Sequence, residues 1–183
     1  MREAMSLHEI VLPETKPETE WILGRAVQKV SPFRRHAVLQ GRLAAALGDW
    51  AADRAQVGTE WRFRVAPPGE IRRPLVPDVS LVWNDRLRDL DDADVELPPF
   101  APDIAIEVRS PGDRIRFIEH KVAVYLAGGA TLVAVVDPME RAVHLHDRSG
   151  TRVLRDGEQL EHPALPGFSL SVRSLFDAAE RPR

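Results

Sequence analysis

The feature that most constrains this chain is an unbroken succession of strand, turn, helix and strand, "PDIAIEVRSPGDRIRFIEHKVAVYLAGGATLVAVVD", residues 102–137. Residues 103–109 alternate. Ile104, Ile106 and Val108 fall on one side of a strand, and Asp103, Ala105, Glu107 and Arg109 on the other. "SPGD" then breaks the chain, and Asp113 is placed to cap a helix. Ile115, Ile118, Val122 and Leu126 recur near the helical period, and Gly128 or Gly129 ends the run. "TLVAVVD" is a β-branched run of the kind buried on both faces of a sheet. Such a unit predicts two parallel strands joined by a right-handed helical crossover. It also poses a chemical question. Two acids and a base in one row of a buried strand need water, one another or a metal ion.

The flanking sequence adds elements to this unit. "EWILGRAVQKVSP" predicts two short strands around Gly24. "SPFRRHAVLQGRLAAALGDWAAD" predicts a helix, with Ser31 as N-cap, Pro32 in its first turn and Gly48 weakening its end. "GTEWRFRV" alternates Glu60, Arg62 and Arg64 against Trp61, Phe63 and Val65, as a half-buried strand does. A further strand is expected from Val76 to Trp83. "RLRDLDDADVELPPF" reads as an acidic, mobile loop. Beyond residue 140 a hairpin around Ser149 and Gly150 is expected, then a strand and a short closing helix. One α/β domain over residues 20–183, preceded by an extended arm over residues 1–19, accounts for this order.

The 183 residues suffice for one ordinary core, and 44% hydrophobic against 29% charged residues describes a globular chain. The absence of cysteine excludes disulfides and thiolate metal sites. The first twenty residues hold no apolar stretch of signal-peptide length, and no run approaches a membrane span, so a cytoplasmic location without membrane contact is expected. The net charge of −3 counts mildly against a nucleic-acid partner, although a local basic patch can lie beside an acidic metal site.

Asp78, in "VPDVSLVW", precedes the strand before the one that carries Glu107. If those strands pair, the two carboxylates converge. Alone, each would raise the other's pKa. A divalent cation between them resolves the conflict, since magnesium takes hard oxygen ligands, polarises phosphoryl oxygens and acidifies water. Lys121, near the apolar stripe of its helix, and Arg109 are the cations available to stabilise charge on a phosphate.

These residues carry a resemblance. "VPDVSLV", "PDIAIEVRSPGDR", "EHKVAVYLAGGA" and "VAVVDP", with the early "EWILGRAVQKVSPFRRHAVLQGRL", resemble the PD-(D/E)XK nuclease superfamily. Within it the chain is similar to the Uma family of putative restriction endonucleases, from about residue 20 to about residue 170. The resemblance implies a restriction-endonuclease-like α/β core with a mixed central sheet. It implies a magnesium-dependent endonuclease, manganese being an alternative ion, that hydrolyses DNA phosphodiester bonds by attack of a metal-bound water. Asp78 and Glu107 would be the metal ligands. Lys121 would serve from the helix, because the usual strand position after Glu107 holds Arg109, and Glu20 would complete the catalytic set. Arg109 and His36 are the candidates for substrate contact. A homodimer is expected by analogy with enzymes that cut both strands.

Plainer readings stand beside these. Asp78 and Asp103, each after a proline, can simply begin strands. Glu107 can form a salt bridge of little worth at a surface. Lys121 and the "FRRH" segment can be solvated helix residues. His144 and His146 alternate on a hairpin with no third ligand nearby. The alternative function is a catalytically inactive protein of the same fold that binds DNA or a protein.

Overall fold

The computed structural model describes residues 9–180. The expected arm at residues 1–19 therefore falls partly outside the described residues, at 1–8. Residues 9–18 join the body through one bridge, in which Glu9 faces Arg72, and through the Ile10 N–H, which donates to Arg72 O at 2.8 Å.

Strands β1 (Thr19–Ile22) and β2 (Arg25–Gln28) form an antiparallel ribbon. Leu23 and Gly24 turn between them with φ of 48° and 77°, the left-handed pair that a two-residue hairpin turn requires. Helix α1 (Arg34–Ala51) follows. It starts two residues later than Ser31 as N-cap would have it. Phe33 is still extended, with ψ of 162°, and no side chain caps the helix. Gly48 lies within it, and its carbonyl accepts from the N–H of Ala52 at 2.9 Å.

The central sheet has six strands, β3 (Ala55–Thr59), β6 (Val79–Trp83), β7 (Ile104–Val108), β8 (Leu132–Asp137), β9 (Ala142–Asp147) and β10 (Gly150–Leu154), in the order β10-β9-β8-β7-β6-β3. Only β7 and β8 are parallel, with Ile104 opposite Leu132, and helix α4 (Ile115–Ala127) connects them. The strand–helix–strand unit thus stands as the pattern required. Strand β4 (Phe63–Val65) pairs with β5 (Arg73–Leu75) in a separate ribbon, and β11 (Gln159–Leu160) with β12 (Leu170–Ser171) in another, ahead of α5 (Val172–Asp177).

Helices cover both faces. On one, Leu39, Leu43 and Leu47 of α1 pack with Val79, Leu81, Ile104, Ile106 and Val108, and α5 adds Leu175 and Phe176. Each fully buried leucine contributes about 1.5–3 kcal/mol. On the other, Ile118, Val122 and Tyr125 of α4 pack with Ala105, Val133 and Val135. Gly128 ends α4 where a side chain would not fit, because an added Cβ would lie 2.5 Å from Val65 Cγ1. Gly129, at φ of 106°, takes the left-handed position of the helix end, and the Ala130 N–H reaches back to Tyr125 O at 2.9 Å.

Four expectations need correction. The alternating strand at residues 60–65 is shortened to β4, because Glu60 has φ of 53° and breaks it. The strand expected from Val76 begins only at Val79, so the backbone of residues 76–78 stays outside any ladder. The acidic "loop" holds two short helices, α2 (Asn84–Leu87) and α3 (Asp92–Glu96). Asp91 caps α3 by accepting from the Asp94 N–H at 2.8 Å, and Asp94 is paired with Arg64. Asp113 does not cap α4. Its carboxylate accepts from the Ser110 N–H at 2.7 Å and closes the turn instead, leaving Arg114 at the N-cap.

Candidate active site

The site lies where β1, the end of β2, α1, the 76–78 segment, β7 and α4 meet. Because residues 76–78 are outside the sheet, their backbone groups bind side chains. The Val76 N–H donates to Glu20 Oε1 at 2.7 Å, and Val76 O accepts from Lys29 Nζ at 3.1 Å and Lys121 Nζ at 3.4 Å. Asp78 O accepts from Gln40 Nε2 at 2.9 Å.

Asp78 enters just before β6. With Val79 opposite Ile106, its side chain reaches the end of β7, where Oδ2 accepts from the Val108 N–H at 2.6 Å. Oδ2 also lies 3.2 Å from His36 Nε2 on α1, and Oδ1 lies 2.7 Å from Lys29 Nζ. Glu107 Oε2 lies 2.7 Å from Lys121 Nζ, and Glu107 Oε1 accepts from the Tyr125 hydroxyl at 3.2 Å. Lys121 and Tyr125, one turn apart on α4, thus clasp the same carboxylate. Lys121 Nζ also lies 2.7 Å from Glu20 Oε1. Glu20, Asp78, Glu107, Lys121 and His36, five residues that the sequence picked out, all line one cleft of about 190 Å³.

Lys29 was not among the sequence candidates. It follows β2 and bridges Asp78 and Glu60, the latter at 2.8 Å. Nothing in "VQKVSP" marks it, because its partners lie 31 and 49 residues further on.

The row on β7 resolves differently for each member. Asp103 turns away to Arg86, at 3.0 Å, and to the Trp83 N–H, also at 3.0 Å. Glu107 faces the cleft. Arg109, expected at the substrate, lies outside the cleft and pairs with the buried Asp137 of β8. His144 and His146 stack at 6.5 Å between ring centroids, away from the cleft, and His146 Nδ1 is 2.9 Å from Thr151 Oγ1.

Burial sets the electrostatics. Glu20, Asp78, Glu107 and Lys121 are each 3% exposed. Three buried carboxylates therefore face two ammonium groups, an excess of negative charge. Burial pushes the Glu107 carboxyl up to about 8; Lys121 opposes the rise, while Asp78 and Glu20 add to it. For Asp78 burial acts upward, but Lys29 and the His36 hydrogen bond outweigh it and hold the group well below the usual carboxylate range. Burial lowers Lys121, and Glu107 with Glu20 more than reverses that, so it stays an ammonium. Tyr125 is raised by burial and by Glu107, so it stays a hydroxyl donor.

The donor set fits a hard divalent cation. It consists of carboxylate oxygens in one cleft, and an added positive charge would let Glu107 ionise near neutral pH. Among the described residues no three His, Asp or Glu side chains form a ready coordination cluster, and the ammonium groups of Lys29 and Lys121 pair with the acids.

The six-stranded mixed sheet with helices on both faces is the restriction-endonuclease-like fold that the sequence led us to expect. A crystal structure described as a putative nuclease belonging to DUF820, from Anabaena variabilis ATCC 29413, matches it with a TM-score of 0.82. The match is at 24% identity and covers 92% of this chain and 95% of that one, a likeness of fold. The chain belongs to the Uma2 family, described as "Putative restriction endonuclease", whose model matches residues 7–173. No curated protein matches. No helix among the described residues is long and apolar enough to cross a membrane.

Proposed function

We propose that this chain is a divalent-metal-dependent endonuclease that hydrolyses DNA phosphodiester bonds. One observation carries the reading. Asp78, from the segment just before β6, Glu107, from β7, and Lys121, from α4, meet in a single cleft of a chain whose family is described as "Putative restriction endonuclease". Asp78 and Glu107 would hold magnesium, with manganese as a substitute. Such an ion polarises a phosphoryl oxygen and lowers the pKa of water.

The other roles belong to the chain's own groups. Lys121 holds Glu107 and Glu20 in place and supplies positive charge where a phosphate becomes more negative. Tyr125 fixes the second oxygen of Glu107. His36 and the Val108 N–H orient Asp78. Glu20 anchors the 76–78 segment through the Val76 N–H, so it supports the site from behind. The unit acting is the domain at 20–183, with 1–19 as its arm, in the cytoplasm. A homodimer would bring two such clefts to the two strands of a duplex.

A second reading has one observation in its favour. The acids are already paired with lysines, which suits a protein of this fold that binds DNA or a protein without cutting. Cleavage of DNA that needs a divalent ion and disappears in Glu107→Gln separates the two.

A further inference from the structure

Three arginines crowd one aromatic ring at the mouth of the cleft. The guanidinium carbon of Arg25, the first residue of β2, lies 5.0 Å from the centroid of Phe117. Those of Arg114 and Arg116, at the start of α4, lie at 5.6 and 5.4 Å. Phe117 and Arg114 line the same cleft as Asp78 and Glu107.

All three arginines are exposed. Among the described residues none of them takes part in an ion pair. Other arginines beside the site are engaged, Arg62 with Glu18, Arg64 with Asp94 and Arg73 with Glu70, and only here do three arginines share one ring among the described residues. The first turn of α4 holds no acidic residue, and no side chain caps it, so its positive end is not offset locally. Asp113, which lines the same cleft, is engaged by the Ser110 N–H.

Like charges repel, and each contact with an exposed ring returns only about 0.5–1 kcal/mol. Three guanidinium groups without a carboxylate partner concentrate positive charge at one spot of a chain of net charge −3, and such a spot attracts an anion. Arginine's planar fork matches phosphate oxygens, and an aromatic face accepts a base. Phe117 stands one helical turn, about 5.4 Å, from Lys121.

We infer that Arg25, Arg114 and Arg116, arrayed on Phe117, form the grip that holds the phosphates of a nucleic-acid strand beside the cleft. The inference rests on the nuclease reading for the kind of strand held. Its anion chemistry stands on the cluster itself. β2 and α4 close on the strand from two sides, so the grip sets which phosphate reaches Asp78 and Glu107.

The test is binding of a fluorescent 20-nucleotide DNA, single-stranded and duplex, by the full chain in a chelator, so that nothing is cut. Arg25→Ala/Arg114→Ala/Arg116→Ala should bind at least about tenfold more weakly near 0.1 M salt. Its log–log salt slope should fall by about two, as expected for lost phosphate contacts. The corresponding triple lysine variant should keep most of the slope, and Arg148→Ala, on the β9–β10 turn, should change neither quantity. Unchanged affinity and slope in the alanine variant, no binding by the wild type, or a lysine variant as weak as alanine each overturns the inference. A wild type that binds through the arginines yet never cuts contradicts the nuclease reading alone. A wild type that cuts, with the alanine variant binding normally, contradicts the grip alone.

Discussion

Lys121 Nζ stands 2.7 Å from Glu107 Oε2, fourteen residues back along the chain, and both groups are buried. The parallel β7–α4–β8 unit creates this contact. α4 lies across the strand that carries Glu107, and the contact ties the candidate chemistry to the stability of the fold.

Removing that lysine should therefore damage both. Lys121→Met leaves the buried Glu20 without its counter-charge and Glu107 without its hydrogen-bond donor, at a cost of about 3–5 kcal/mol in chemical denaturation. Lys121→Met/Glu107→Gln should recover part of that stability and remain unable to cut. Equal stability of the single and double variants would contradict the pairing.

Glu107 also predicts a pH dependence. Its folded-state pKa, about 8, is above the ordinary 4.5, so the folded protein holds a proton that the unfolded chain releases. The stability this gives the metal-free protein is complete below about pH 4.5 and is lost as pH rises through about 8. Thermal melting from pH 5 to 9 should show the loss in the wild type and a flatter profile in Glu107→Gln. Binding of magnesium should release a proton, so its apparent affinity should rise over the same range. Parallel melting profiles for the two proteins would refute this.

Arg109 separates fold from chemistry. Its partner Asp137 is 1% exposed and also accepts from the N–H groups of Met139, at 2.9 Å, and Glu140, at 3.1 Å. Arg109→Ala should cost about 1–3 kcal/mol, because the remaining bonds satisfy part of the carboxylate. Cleavage per folded molecule should stay within about twofold of wild type. A large loss of turnover with unchanged stability would return Arg109 to the substrate.

Gly128→Ala tests the packing at the end of α4. The new methyl would meet Val65 Cγ1 at 2.5 Å and Val124 O at 3.0 Å. The expected cost is about 1–3 kcal/mol in denaturation. Gly41→Ala, in α1 with open space around it, should not destabilise.

How much of this was legible depended on range. The alternation of Ile104, Ile106 and Val108 and the stripe on α4 are local patterns, and the core follows them. β3 was missed because "AQVGT" is short and carries one large apolar residue, so only its pairing with β6 makes it a strand. The helices α2 and α3 hold four and five residues and no apolar stripe of their own. In the site, the pairing of strands let Asp78 and Glu107 be read as converging carboxylates with Lys121 beside them, the family motifs strengthened that choice over plainer readings, and Glu20 came from the motifs alone. Lys29 was illegible because its role comes from the chain path that brings it to Asp78. Arg109 was misplaced because alternation gives a face and not a partner, and Asp137 of the neighbouring strand claims it.

The most direct test of the nuclease reading is conversion of supercoiled plasmid to nicked or linear forms with magnesium or manganese, wild type beside Glu107→Gln and Asp78→Asn. The account predicts cleavage by wild type that a chelator abolishes and that both variants lose while remaining folded. Wild type that binds the plasmid and leaves it intact with either ion, or variants that cut as well as wild type, would contradict it.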